Sequence, residues 1–164
     1  MTFDIAGAKA SVVHPESVVR TAAEWASARG AEVCLLDARS VFGREHLESA
    51  ALHAIRARDA RTMSSRSVAM ETLLYAAGAR QVQDAIRSVG LRPDTTAIGV
   101  VLFGSARVDD FIRDMGWTRD DGVLNAEGKS LEDFGISDQA AGTVSESQGA
   151  DLVLEKVALL DVQK

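Results

Sequence analysis

His46 and His53 lie seven residues apart in EHLESAALHAI, a spacing that puts both imidazoles on one face of a helix, as two ligands of a metal ion would be. A metal site needs third and fourth ligands as well. Cys34 is the only cysteine and no close acidic cluster accompanies the pair, so no metal ligand is assigned; solvated or capping roles account for His14, His46 and His53. Ser64, Ser65 and Ser67 in MSSRS could serve a nucleophilic mechanism only beside a base and an orienting group. Their place ahead of an apolar run suits helix capping instead. Asp109 with Asp110, and Asp120 with Asp121, are adjacent acids, but neighbours in sequence diverge in direction and suit turns or helix starts. The glycines near Gly99 and Gly104 match neither a phosphate-cradling loop with its lysine nor a dinucleotide fingerprint. No catalytic residue and no cofactor is therefore expected.

Cations offer a second kind of chemistry. Arg56, Arg58, Arg61 and Arg66 crowd IRARDARTMSSRS, and Arg80, Arg87 and Arg92 follow. Two readings stay open: a solvated helical face, or a patch that binds phosphates with steep salt dependence. A formal net charge of -6 excludes a surface that is electropositive throughout, though not a local patch. At 164 residues, with 46% hydrophobic and 26% charged residues, the chain has the make-up of one ordinary globular domain spanning 1–164. No apolar run approaches the ~20 residues of a membrane span, and the amino terminus lacks a basic segment followed by an apolar one, so a cytoplasmic location away from membranes is expected. Cys34, within EVCLLDA, reads as a buried, inert thiol.

These groups must be positioned by a modest set of elements. Pro15 to Arg29 reads as a helix that proline opens and Gly30 closes. Glu32 to Asp37 is a short apolar strand, and Arg44 to Ala60 a helix with Leu47, Ala50, Ala51 and Ala54 on one stripe. TTAIGVVLFG, from Thr95 to Gly104, is a continuous apolar run of β-branched character, which belongs at the centre of a sheet with both faces covered. Val108 to Met115 suits a short helix ended by Gly116, and Trp117 to Gly128 a small hairpin or irregular loop. Ser137 to Gln148 is small and polar, whereas Asp151 to Val162 is apolar, equally compatible with helix and strand, and hydrophobic enough to dock. The expected fold class is α/β (α+β): one domain with a mixed β-sheet covered by several helices.

METLLYAAGARQVQDAIRSVGL, from Met70 to Leu91, reads as a tight helical hairpin. Val68 to Ala77 forms its first helix, with Gly78 placed to end it, and Val82, Ala85, Ile86 and Val89 stripe the second, with Gly90 ending that in the same left-handed manner. In order along nearly the whole chain, LLDARSVFG, EHLESAALHAIRA, this hairpin, AIGVVLFG and LVLEKVALLDV resemble the kinase-binding subunit family of the KEOPS complex. The hairpin is the most specific piece. Glu71, Leu73, Leu74, Tyr75, Gly78, Gln81, Ala85, Ile86 and Gly90 hold the family's spacing, with Val82 where isoleucine is more usual. The short form, the arginine usage and the VALLDVQK ending resemble archaeal members.

The resemblance implies a non-catalytic partner of an atypical protein kinase, the KEOPS kinase subunit, whose small lobe it binds. Through that kinase it would meet the other KEOPS subunits, including the one that transfers the threonylcarbamoyl group. The product is threonylcarbamoyladenosine next to the tRNA anticodon, and archaeal members are thought to hold the CCA end of tRNA. On this reading Leu74, Val82, Ile86 and Val89 are candidates for the kinase interface, although each could instead fill the chain's own core. Arg58, Arg61, Arg66 and Arg80 are candidates for RNA contact, on charge clustering alone. A stand-alone RNA-binding module is the main rival, disfavoured by the acidic balance and the scarcity of aromatics for base stacking. A small α/β enzyme using a nucleotide or acyl cofactor would need a phosphate cradle or acid–base pair that the sequence lacks.

Overall fold

AIGVVLF is buried along nearly its whole length because it lies inside the sheet, with a strand on each side and helices above and below. A computed structural model describes residues 1–129 and 146–163. In chain order its main elements are β1 (Phe3–Lys9), α1 (Pro15–Ser27), β2 (Glu32–Asp37), α2 (Arg44–Asp59), α3 (Val68–Ala77), α4 (Val82–Val89), β3 (Ala97–Phe103), α5 (Val108–Asp114), β4 (Thr118–Arg119) and α6 (Glu146–Gln163). The strand order is β2-β3-β1-β4. All three ladders are antiparallel, a correction to the mixed sheet expected from sequence. The difference arises at β1, FDIAGAK, where no element was anticipated: alanine and glycine give it little strand propensity, yet it pairs with all of β3.

Two cores follow from the alternation of strand side chains. Ile5, Cys34, Leu36, Val101 and Phe103 face α2, α3, α4 and α6, whereas Ala6, Leu35, Val100 and Leu102 face α1 and α5. Small residues bring the layers close. A Cβ on Gly7 would stand 2.4 Å from the Asp120 carbonyl oxygen, so only glycine lets the turn at Asp121–Leu124 lie on the sheet.

The helices begin and end much as their sequences indicate. Pro15 opens α1, and Gly78 closes α3 in the left-handed conformation at φ 62°. Gly90 does not: its φ is -71°, and glycine is needed there because a Cβ would meet the Ile86 carbonyl oxygen at 2.5 Å. Of the MSSRS serines only Ser67 caps α3, its hydroxyl accepting from the Met70 amide at 3.1 Å. The stretch from Trp117 onward becomes the two-residue β4 and a 3-10 turn, and Asp151 to Val162 falls within helix α6. Most of the small polar stretch 137–148 lies outside the described residues.

Candidate helical-hairpin docking surface

The hairpin α3–α4 is fixed from both ends by buried polar groups. Glu71 is fully buried, and its carboxylate accepts from the amides of Ser64 and Ser65, at 3.1 and 3.0 Å, and from the Ser65 hydroxyl at 2.7 Å. The connection from α2 is thereby folded onto the first turn of α3. At the other end His46 of α2 accepts at Nδ1 from the Phe42 amide, 3.1 Å away, and donates from Nε2 to the Ala76 carbonyl at 2.8 Å. Burial pushes its imidazole down to about 4, so it is a neutral connector between helices.

His53 faces elsewhere. Its ring stacks on Tyr75 at 5.1 Å, and Asp161 of α6 accepts from the Tyr75 hydroxyl and pairs with His53 Nδ1. Burial, and then Asp161, push the Tyr75 phenol above its ordinary range. Together with Val153, Val157 and Leu160, this contact seats α6 on α2 and α3. The only advance signal was a lone aspartate in an apolar run. Among the described residues no group of three or more histidine, cysteine or acidic side chains could hold a metal ion.

The four hairpin residues of the kinase reading divide. Leu74 and Val89 are 1% and 0% exposed and belong to the chain's own core, Val82 is half-buried against that core, and Ile86 is 41% exposed. Ile86 stands on one wall of an apolar groove of about 680 Å³. Met70 and Leu73 of α3 share its wall, Val19 and Ala23 of α1 form the opposite one, and β2 from Glu32 to Leu35 makes the floor. Val19, which the sequence reading did not single out, is 47% exposed. Cys34 also borders the groove but is buried, its thiol pushed up to about 12 by desolvation.

The four arginines are not gathered into one cluster. Arg58 pairs with its neighbour Asp59 at 2.8 Å. Arg61, in a left-handed conformation at φ 59°, and Arg66 lie in the connection before α3, whereas Arg80 follows α3, about 15 Å further along its axis. Arg66 and Arg80 are exposed and form no ion pair among the described residues. They can present guanidinium groups to an anion as two separate points.

No helix among the described residues is long and apolar enough to cross a membrane. No curated protein matches the chain. The family model described as kinase binding protein CGI-121 does match, over residues 11–120, which takes in β2, the hairpin and β3 as well as both walls of the groove. The chain belongs to the CGI-121 kinase-binding protein family.

Proposed function

We propose that this protein is the kinase-binding subunit of a KEOPS complex, without catalytic activity of its own. It docks directly on the KEOPS kinase subunit, reaches the other KEOPS subunits through it, and helps recruit tRNA by the CCA end for threonylcarbamoyladenosine formation next to the anticodon. The observation that carries the reading is membership of a kinase-binding family over residues 11–120. What the geometry adds is a surface suited to docking: Ile86 and Val19 are large apolar side chains left exposed on facing walls of one groove. Of the four hairpin candidates, Ile86 is the principal contact and Val82 a marginal one; Leu74 and Val89 support the surface from beneath.

For RNA the support is the exposure of Arg61, Arg66 and Arg80, which form no ion pair among the described residues, with Arg58 partly engaged by Asp59. Co-elution of the purified protein with the KEOPS kinase subunit of the same genome in gel filtration tests the reading. A stable complex is expected, and separate elution at micromolar concentrations would overturn it. The tRNA role is tested by electrophoretic binding of tRNA with and without its CCA end. Weaker binding after Arg66→Ala with Arg80→Ala, and after CCA removal, is expected; identical binding in all cases would remove that role.

A further inference from the structure

The connection from α2 to α3, residues 60–67, ends at the groove. Ser67, Ala69 and Met70 line the groove, and Ser64 stands three residues earlier, at most about 11 Å of chain from Ser67. A partner seated on Ile86 and Val19 therefore meets this connection. Three of its four hydroxyls are in use: Thr62 donates to the Ala57 carbonyl at 3.4 Å, Ser65 donates to the Glu71 carboxylate at 2.7 Å, and Ser67 accepts from the Met70 amide at 3.1 Å. Ser64 is exposed, and its hydroxyl makes no hydrogen bond among the described residues; only its amide is held, by Glu71.

Arginines bracket this serine. Arg61 lies three residues before it and Arg66 two after, both exposed and without an ion pair among the described residues. Arg61 is also the only described non-glycine residue with positive φ, 59°, just past the end of α2, where glycine would sit without strain. A side chain kept there at a cost in stability points to a use for its guanidinium. Ser11 and Ser105, the other exposed serines outside helices among the described residues, are not bracketed in this way.

On the reading of this protein as a kinase-binding subunit, we propose that the bound kinase uses Ser64 as a phosphate acceptor. Ser64 Oγ bonds to the γ-phosphorus of ATP as the bond from that phosphorus to the β,γ-bridging oxygen breaks; ADP leaves, and the hydroxyl proton passes to a base of the kinase. Kinases select substrates partly by charge pattern, which the two arginines supply. The phosphoserine formed carries close to two negative charges, for which guanidinium groups are the strongest partners.

The test incubates the full chain with the KEOPS kinase subunit, magnesium and ATP, with ADP release confirming that the kinase is active and gel filtration that the complex forms. Peptide mass spectrometry is expected to place phosphate on Ser64, in the tryptic peptide 62–66, at least tenfold above any other serine. Ser64→Ala keeps the amide that Glu71 receives, so it is expected to fold and to bind the kinase as the wild type does while losing at least nine-tenths of the phosphate. A complex that forms with peptide 62–66 unmodified, or with its phosphate on Ser65, overturns the acceptor assignment and leaves the kinase-binding role intact. Absence of any complex overturns both.

Discussion

Replacing Glu71 should cost far more stability than its place on a helix suggests. Its carboxylate is fully buried and receives the amides of Ser64 and Ser65 and the Ser65 hydroxyl, at 3.0–3.2 Å for the amides and 2.7 Å for the hydroxyl. Hydrogen bonds to a charged group contribute about 1.5–3 kcal/mol each, and stranding a buried donor costs a similar amount. Ser64 is exposed and can turn to water, so the two donors of half-buried Ser65 dominate. Glu71→Ala should therefore destabilise the fold by roughly 3–5 kcal/mol, which for a chain of this size lowers Tm by about 10 °C. Glu71→Gln keeps the shape and one good acceptor, and should lose roughly half as much. Urea unfolding followed by circular dichroism measures both, with the midpoint moving and the slope unchanged. A Glu71→Ala protein within about 0.5 kcal/mol of the wild type would refute the view that this carboxylate holds the α2–α3 connection.

The His46 imidazole, with a folded-state pKa near 4 against an ordinary 6.5, contributes stability that is complete above about pH 6.5 and is lost as the pH falls through 4. Its NMR titration should show no protonation above about pH 5, and a midpoint near 6.5 would contradict its burial as a neutral connector. Gly90→Ala should destabilise by about 1–3 kcal/mol in thermal unfolding, because the added methyl carbon meets the Ile86 carbonyl at 2.5 Å; an unchanged Tm would mean that the turn yields freely. Cys34 should react with a thiol reagent only at the rate of opening of the fold, and rapid labelling in native buffer would show that the groove admits solvent to it.

Sequence and structure agree where the local signals are strong. Pro15, Ser67, Gly78 and the unbroken apolar run of β3 mark their elements because each carries its own backbone preference or burial pattern. Pairing direction has no such local mark, and β1 escaped because Ala6, Gly7 and Ala8 owe their place to close packing rather than to propensity. Docking faces are harder still. Val82, Ala85, Ile86 and Val89 form one stripe, yet Ala85 and Val89 turn inward while Ile86, about 100° and 60° round the helix from them, falls at the margin. Only the position of α4 beside the edge of the sheet decides which of these residues meets solvent. Glu71 stood in the hairpin motif from the start, but its partners lie in a connection whose path no periodicity specifies.

Isothermal titration of the KEOPS kinase subunit with wild-type protein and with Ile86→Glu distinguishes a kinase docked on the groove from one docked elsewhere. Covering the 41% of Ile86 that is exposed is worth on the order of 1 kcal/mol, and a carboxylate forced into the same apolar groove adds a desolvation penalty of several more. The wild type should bind, and the variant, with an unchanged circular dichroism spectrum and Tm, should bind at least a hundredfold more weakly. Equal affinity for the two proteins would place the kinase elsewhere on the surface, and no heat of binding from the wild type would contradict the kinase-docking account itself.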